Sequence, residues 1–244
     1  MLVAIHQPTY LPWLGYLSRM ASADLFVVLD HVQFEQRNYQ NRTRVRIDGE
    51  PRWLTVPVEQ RSREEPIAEK RIDNRLGGMR HWSRVHWLTL RHAYRHAPHL
   101  AHYAVQLKKI YEQRFDRLVD LNAALLELLR DAFHIRTPLV WSSTLGAQGA
   151  KSELVLDICR RVGARALLVG LGGSRAYLDR EAFARAGIGL VFQQFAHPVY
   201  RQCGDGSPAP FTPGLSAIDL LLNCGPDARR VLDSAAAGEE RLAA

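Results

Sequence analysis

Short apolar runs of strand length alternate with stretches of helical spacing from the first residues of the chain. An apolar run at 2–5 precedes helical spacing at 11–22, and a second apolar run follows at 24–30. A strand, a helix and a strand within thirty residues match the length of a βαβ unit, which places the two strands parallel. The opening of the chain therefore predicts an α/β fold.

The same alternation continues through the second half of the chain. Gly163 closes one predicted helix, at a position where a left-handed residue satisfies the last carbonyls. Beyond Ser234 the chain is rich in alanine, and no further element is predicted there. The predicted elements are strands at 138–143, 166–173 and 188–196, and helices at 152–163, 180–187 and 211–225.

The segment at about 42–135 interrupts this alternation. Two runs of alternating polar and apolar residues flank Asp48-Gly49, a dipeptide typical of a tight hairpin turn. We therefore predict one domain, residues 1–244, with a mostly parallel Rossmann-like sheet that carries an inserted hairpin and a helical lobe. After the hairpin, the insertion is predicted to hold an exposed loop at 60–78 and helices at 80–97 and 99–133.

The composition is that of a protein with a full core and no membrane anchor. The 244 residues are 47% hydrophobic, yet no eighteen apolar residues run together, and the run at 2–5 is too short for a signal peptide. Three cysteines without a CxxC spacing argue against a disulfide framework or a zinc ribbon. We expect a cytoplasmic protein that does not act at a membrane.

The charge balance points to an anionic partner. Lys and Arg number 32 against 25 Asp and Glu, a net charge of +7, and arginine dominates the basic set. A guanidinium matches phosphate oxygens in two-point geometry, so a phosphate, a nucleotide or RNA is expected. Between residues 34 and 46, arginines alternate with amides and aromatic rings, as suits a ligand with both phosphate and base. Compositional drift and a solvated strand face are the alternative explanations.

Polar side chains follow each predicted parallel strand. In an open parallel sheet, ligands bind beyond the carboxyl ends of the strands, so these side chains predict a shared pocket. In strand order the sets are His6, Gln7 and Tyr10; Asp30, His31 and Gln33; Ser142, Ser143 and Thr144; Ser174, Arg175 and Tyr177; and His197, Tyr200 and Gln202.

The first of these sets suggests acid–base chemistry. A neutral imidazole at His6 accepts a proton from an attacking amine or hydroxyl, while the Gln7 amide orients a carbonyl. Asp30 then orients the imidazole or binds a ribose hydroxyl, and Pro8 turns the chain into the first helix. Alternatively, His6 only bonds backbone groups and Asp30 only caps a turn.

Four histidines lie close together at the centre of the helical lobe. The first two are spaced i, i+4, as two ligands of one metal ion on a helix are. No HExxH glutamate accompanies them, and Pro98 separates the two pairs. We therefore predict no metal site at His92, His96, His99 and His102.

Long ordered motifs over nearly the whole chain resemble the WbqC-like family. The motifs are "IHQPTYLPWLGYL", "ADLFVVLDHVQFEQRNYQNRTRV", "RWLTVPV", "GIGLVFQQFAHPVYRQ" and "LSAIDLLLNCG". The resemblance implies a group-transfer role in surface-polysaccharide or natural-product biosynthesis. The motif positions are His6, Gln7, Tyr10, Trp13, Asp30, Gln33, Asn41, Arg42, His197, Tyr200, Gln202, Ser216, Asp219 and Asn223.

A weaker resemblance concerns the fold alone. A strand, a turn with a histidine, a helix and a second strand are similar to the start of pantothenate synthetases and other HIGH-type (HUP) nucleotidyltransferases. There the turn cradles adenylate phosphates. In this chain the second motif histidine and its glycine are absent after Pro8. The resemblance thus implies the topology of those enzymes rather than their adenylylation chemistry.

These observations predict an enzyme that moves an activated acyl or aminoacyl group. The donor is an aminoacyl-tRNA, an adenylate or a CoA ester, and the acceptor is an amine or hydroxyl of a sugar or natural-product intermediate. No tightly bound cofactor is expected, with ATP and Mg²⁺ or the acyl donor as co-substrate. The predicted catalytic residues are His6, Gln7, Asp30 and His197, and the predicted binding residues are Tyr10, Trp13, Gln33, Asn41, Arg42, Ser174, Arg175, Tyr177, Tyr200 and Gln202.

Three other functions stay open at this point. The protein could be an ATP-dependent adenylating enzyme or nucleotidyltransferase, which makes the activated species. It could be a non-catalytic module that binds a nucleotide-sugar or RNA. It could also be a hydrolase, which forms product without any acceptor.

Overall fold

Eight strands and eight helices make up the fold of the computed structural model, which describes residues 1–62, 64–170, 177–203 and 210–242, with 236–242 as backbone. The strands are β1 (Leu2–His6), β2 (Leu25–Val28), β3 (Arg42–Ile47), β4 (Glu50–Thr55), β5 (Leu139–Trp141), β6 (Ala166–Val169), β7 (Gly189–Phe195) and β8 (Ala236–Leu242). The helices are α1 (Leu14–Ala21), α2 (Trp82–Ala93), α3 (Leu100–Glu112), α4 (Leu118–Ala132), α5 (Lys151–Arg161), α6 (Arg180–Arg185), α7 (Ala217–Cys224) and α8 (Ala228–Asp233).

The main sheet has the strand order β5-β2-β1-β6-β7-β8. The five strands from β5 to β7 are parallel, and only β8 runs antiparallel, beside β7 at the edge. In chain order, β2 and β5 are added on one side of β1. The chain then crosses over, and β6 and β7 are added on the other side. This arrangement confirms the predicted mostly parallel α/β sheet and makes the β1–β6 junction its topological switch point.

Alternate residues of each central strand face two different helical layers. On β1, Ala4 packs with α1, α4 and α7, whereas Val3 packs against α5. On β6, Leu168 faces the first layer and Leu167 faces α5 and α6. Both faces of the sheet are therefore buried, which explains why its strands are apolar throughout rather than alternating.

The inserted hairpin forms at the predicted place. Asp48 and Gly49 both have positive φ, 50° and 77°, as a two-residue turn between twisted strands requires. Val45 and Leu54 from this hairpin join the same hydrophobic cluster as α2, α3 and α4. The hairpin and the three helices thus pack onto one face of the main sheet. Within the described ranges, no helix is both long and apolar enough to cross a bilayer.

Three sequence predictions about elements were wrong. The first helix begins at Leu14 instead of residue 11, because Leu11 has a φ of 45° and Trp13 is extended; Pro8 therefore lies outside the helix. The predicted helix at 99–133 is two helices, because residues 113–117 run beside 70–72, where the Leu118 amide donates to the Lys70 carbonyl at 2.8 Å. The tail contains β8, which pairs with β7 through backbone bonds that need no apolar pattern.

The prediction of an exposed loop at 60–78 was also wrong, because a buried ion pair holds part of this segment between the hairpin and α2. The Lys70 ammonium lies 2.8 Å from a Glu65 carboxylate oxygen and 4.9 Å from the centre of the Phe34 ring. Lys70 is 1% exposed and Glu65 is 8% exposed. Burying either charge alone would cost free energy, so each residue stabilises the buried charge of the other.

We expect Lys70→Met to lower the free energy of unfolding by about 3–5 kcal/mol, because it leaves the Glu65 carboxylate buried without its cation. The double variant Lys70→Met/Glu65→Leu should recover most of that loss, since it removes both charges. Urea unfolding measures both values, with Lys109→Met on the exposed side of α3 as the control. A double variant as unstable as the single variant would contradict the assignment.

Candidate functional site

A cavity of about 880 Å³ opens beyond the carboxyl ends of β1, β6 and β7. It lies at the switch point of the sheet, where open α/β folds bind their ligands. Its volume is in the range of sites for cofactors and drug-sized molecules. The described lining residues are Ile5, His6, Gln7, Trp13, Arg19, Leu29, Glu35, Asn38, Arg44, Gly170, Tyr177, Gln193, Phe195, His197, Pro213 and Gly214.

His6 is the last residue of β1 and points its imidazole into this cavity. The ring Nδ1 lies 3.0 Å from the Gln7 carbonyl oxygen, which can only accept, so the proton sits on Nδ1. Burial, and next the positive charge of Arg19, lower the His6 pKa to about 3. The imidazole is therefore neutral near pH 7, and Nε2 carries a lone pair.

Gln7 continues the turn with its own side chain held in place. The Gln40 amide nitrogen donates to the Gln7 Oε1 at 2.9 Å. With its oxygen occupied in this way, Gln7 keeps the NH₂ end of its amide as a donor at the cavity wall. The Gln7 amide donor and the His6 Nε2 acceptor lie side by side, so they can bind a substrate that has both an acceptor and a donor group.

His197 follows β7 and repeats the arrangement of His6. Its Nδ1 donates to the Pro198 carbonyl at 2.9 Å, and its ring contacts Phe195 and Phe211 edge-on. Burial lowers the pKa of His197 as well. Its Nε2 is buried without a hydrogen-bond partner among the described residues. The cavity is therefore lined by two neutral imidazoles: the His6 Nε2 keeps a lone pair, and the His197 Nε2 is enclosed by the protein.

Arg19 places a buried positive charge beside these imidazoles. Its side chain is 8% exposed, and its Nε donates to the Gln193 Oε1 at 3.0 Å. Burial lowers the Arg19 pKa to about 10, and the only other group that shifts it is the Tyr16 phenol. The guanidinium therefore stays charged near pH 7 with no carboxylate partner in the described part of the chain. An unpaired buried cation that lines a cavity is a site for an anion.

Gly170, directly after β6, makes room for this cation. A β-carbon at residue 170 would lie 2.0 Å from a terminal nitrogen of Arg19, which is inside any allowed contact. The glycine thus lets the guanidinium rest against the carboxyl end of a parallel strand. The backbone and the cation together form the floor of the anion site.

The remaining wall carries one further cation, one acid and two aromatic rings. Arg44 comes from β3, and the exposed Glu35 accepts a hydrogen bond from the Asn38 amide at 2.7 Å. Trp13 meets Phe195 edge-on with 5.3 Å between the ring centres. The cavity thus has a cationic floor and an aromatic side, with Glu35 as the acid among its described lining residues.

The structure brings five of the predicted site residues to this cavity and leaves the others elsewhere. The five are His6, Gln7, Trp13, Tyr177 and His197. Ser174 and Arg175 lie outside the described residues. The predicted residues that do not line the cavity are Tyr10, Asp30, Gln33, Asn41, Arg42, Tyr200 and Gln202.

Asp30 does not face His6, although the two lie at the ends of neighbouring strands. The Ser142 hydroxyl and the Ser143 amide donate to its Oδ1, and the Ser143 hydroxyl donates to its Oδ2. Its carboxylate is buried and fully bonded. Asp30 therefore joins the ends of β2 and β5.

Tyr200 and Gln202 bind Asp219 of α7. Both donate to the Asp219 Oδ1, at 2.8 and 2.9 Å. Gln202 also bonds the backbone of Thr212 in both directions. This cluster anchors the segment after β7 and so fixes the position of His197, without reaching the cavity itself.

The other four predicted residues make structural contacts. Tyr10 is fully buried, the Asn41 amide donates to the Val56 carbonyl, and Gln33 forms a backbone bridge with Pro66. Arg42 stacks on Trp53, 4.1 Å from the ring centre, and donates to the Arg37 carbonyl.

Arg19 and Gln193 are the site residues that the sequence analysis missed. Arg19 lies in a helix among core residues, where an arginine is usually read as a surface position. The signal was Gln193, a polar residue inside the apolar run of a strand with both faces covered.

Buried neutral histidines should make the protein less stable in mild acid. His6 has a pKa of about 3, and His86 one of about 4, against 6.5 in an unfolded chain. As the pH falls below about 6.5 the unfolded state binds protons first, so each histidine should cost up to about 1.4 kcal/mol of unfolding free energy per pH unit. Urea unfolding of wild type and His6→Gln between about pH 7 and pH 4.5 measures this. The variant should have the shallower slope, and the exposed control His102→Gln should keep the wild-type slope.

Comparison with known proteins places the chain in a family. A model described as the WbqC-like protein family matches residues 7–231. A protein of Mycobacterium tuberculosis (strain ATCC 25618 / H37Rv), printed as "Uncharacterized protein Rv1507c", is 32% identical over 229 residues, which cover 93% of this chain and 95% of that protein. No solved structure matches the chain. The match over nearly the whole length shows that the chain belongs to the WbqC-like protein family.

Proposed function

We propose that this protein is a group-transfer enzyme that moves an activated acyl or aminoacyl group onto an amine of a sugar or natural-product intermediate. The observation that carries the proposal is the pairing, in one cavity, of an unneutralised Arg19 guanidinium with the free Nε2 of His6. The first group suits the phosphate of an activated donor, and the second suits the proton of a nucleophile.

The donor is held at the floor of the cavity. Arg19 and Arg44 bind its phosphate, which an adenylate, a CoA ester and an aminoacyl-tRNA all have. The NH₂ group of Gln7 donates to the acyl carbonyl oxygen and stabilises the negative charge that forms there. Trp13 and Phe195 cover the apolar part of the donor. The cationic side chains thus select the leaving group, and Gln7 aligns the carbon that reacts.

The acceptor amine attacks that carbon next to His6. As the C–N bond forms, the nitrogen becomes an acidic ammonium, and the His6 Nε2 removes its proton. The bond from carbon to the phosphate oxygen of an adenylate, the thiolate sulfur of a CoA ester or the ribose oxygen of an aminoacyl-tRNA then breaks. Phosphate or thiolate departs as an anion, whereas the ribose oxygen takes the proton from His6. The pKa of about 3 makes His6 a weak base, which is better matched to the acidic ammonium formed during the attack than to a neutral hydroxyl. This favours an amine over a hydroxyl as the acceptor.

Two features help to bring the amine to its place. Glu35 attracts a cationic amine to the cavity, where the ammonium loses one proton to solvent before the neutral amine attacks, and Tyr177 lies at the same wall. The Arg19 cation at the floor and the Glu35 carboxylate at the wall attract donor and acceptor to different parts of the cavity.

Arg19→Met should abolish binding of the donor anion while it leaves the fold intact. Replacing an unpaired buried cation by an apolar residue of similar length is neutral or stabilising, so we expect an unchanged or higher thermal midpoint. Calorimetric affinity for AMP, CoA and pyrophosphate should fall at least about tenfold, because a charge-assisted bond is lost. Arg185→Met, a surface change on α6, is the control. Unchanged affinity in Arg19→Met would disprove the anion site.

Transfer itself is tested with hydroxylamine as a general amine acceptor. Wild-type protein incubated with aminoacyl adenylates, acyl-CoA esters or aminoacyl-tRNA should form a hydroxamate, detected by mass spectrometry. His6→Gln should lower the rate by about 10²-fold or more with little change in donor affinity, and His102→Gln should keep the wild-type rate. ATP–pyrophosphate exchange without acceptor would instead indicate an adenylating enzyme. Free acid formed without acceptor would indicate a hydrolase, and binding without turnover a binding module.

A further inference from the structure

The positive charge of the protein is concentrated in one part of the chain. Residues 75–114, which span α2 and α3, contain eight Lys or Arg and one Asp or Glu, a net charge of +7. The whole chain has the same net charge of +7, so the remainder is balanced. Six of the ten histidines lie in this segment as well. A charge excess concentrated in the one segment that contains α2 and α3 is more than compositional drift, because drift would spread it over the surface.

The two helices enclose a second cavity of about 660 Å³, here named the α2–α3 cleft. Arg84 and Arg91 stand seven residues apart on α2, two turns or about 10.5 Å along one face. Neither forms an ion pair within the described part of the chain. Lys108 and Arg114 complete the basic rim, and their exposed pairs with Glu112 and Asp116, at 3.5 and 3.3 Å, are weak.

A rigid aromatic layer lies under this rim. The Tyr111 hydroxyl is 2.6 Å from the Tyr10 hydroxyl, which is 2.8 Å from the His86 Nδ1, and all three groups are buried. The Trp82 indole donates to the Asn74 side chain at 2.9 Å. Trp87 and Tyr111 line the cleft itself. A buried, bonded layer of this kind holds the basic rim in a fixed shape before any ligand binds.

We propose that the α2–α3 cleft is a binding site for RNA. Among its described lining residues the cleft has four cations and one acid, a net charge of +3, which exceeds what one phosphate group needs and suits a polymer of phosphates. Three of the four cations are arginines, whose planar forks bind phosphate oxygens in pairs. A concave site with aromatic walls admits a base or a ribose–phosphate strand, whereas a bilayer surface is too broad to enter it. The site is separate from the cavity at His6 and stands independently of acyl transfer.

One neighbouring feature makes a membrane the alternative to test. Leu76 and Met79 are 64% and 65% exposed, on the turn that carries Gly77 to the edge of the cleft. Apolar side chains beside arginines also occur where proteins touch anionic bilayers. The concave shape of the cleft favours RNA over a bilayer surface. The experiment includes lipid vesicles to test the membrane alternative.

The test measures fluorescence anisotropy of a labelled single-stranded RNA, and of its duplex, between about 50 and 200 mM salt. Arg84→Ala/Arg91→Ala should weaken binding at least tenfold and lower the slope of log Kd against log salt by about two, about one for each lost phosphate contact. Arg136→Ala/Arg185→Ala removes two exposed arginines elsewhere and should change neither quantity. All four side chains are exposed, so both double variants should keep the wild-type thermal midpoint.

Several results would overturn the proposal. These are the absence of RNA binding by the wild type, equal losses in the two double variants, or binding of phosphatidylglycerol vesicles in place of RNA through Arg84 and Arg91. Arg19→Met separates this site from the proposed function. This variant should lose binding of AMP or CoA but keep the wild-type affinity for RNA that carries no acyl group.

Discussion

A positive charge held out of water at the switch point of the sheet is the constraint on which this structure depends. Arg19 has no carboxylate partner among the described residues, and a bare guanidinium in a protein interior is costly. Its surroundings reduce that cost through the Gln193 amide, the open space at Gly170 and the cavity that Arg19 faces. The same charge contributes to the low pKa of His6. An anion bound in the cavity would neutralise Arg19, and this would reduce both effects.

The segments that form the cavity are joined to one another by backbone hydrogen bonds. The Ser216 amide donates to the Arg44 carbonyl, and the Ala217 amide donates to the Pro12 carbonyl, both at 2.8 Å. The hairpin, the β1–α1 turn and α7 are thus fixed together. Asp219, the acceptor for Tyr200 and Gln202, ties in the segment that carries His197. Burial raises the pKa of this carboxyl, as expected for a group that is bonded inside the core rather than exposed to ligand. Several family-motif residues therefore support the site from outside it.

The two cavities share one structural element. The β1–α1 turn carries Gln7 and Trp13 on the wall of the His6 cavity and Tyr10 in the aromatic layer under the α2–α3 cleft. The inserted helical lobe is thus bonded directly to the turn that carries Gln7 and Trp13 rather than attached at the periphery. A ligand in one cavity and a ligand in the other would both act on the same short segment, the β1–α1 turn.

The sequence by itself determined the sheet and its binding edge. Apolar runs that alternate with helical spacing specify parallel strands covered on both faces, and a parallel sheet places all its carboxyl ends at one edge. This reasoning located His6, Gln7 and His197 at one cavity. Asp48-Gly49 specified the hairpin, because both residues tolerate positive φ.

Only the tertiary structure decided which polar residues line the cavity. Asp30 and His6 end adjacent strands, yet Ser142 and Ser143 engage Asp30, and no local pattern encodes such a partner from a distant strand. Arg19 and Gln193 lie far apart in the chain, and their pairing requires α1 to be packed across β7. The register of a strand and the face of a helix follow from local periodicity. The partner of a side chain follows from long-range packing, which no stretch of sequence contains.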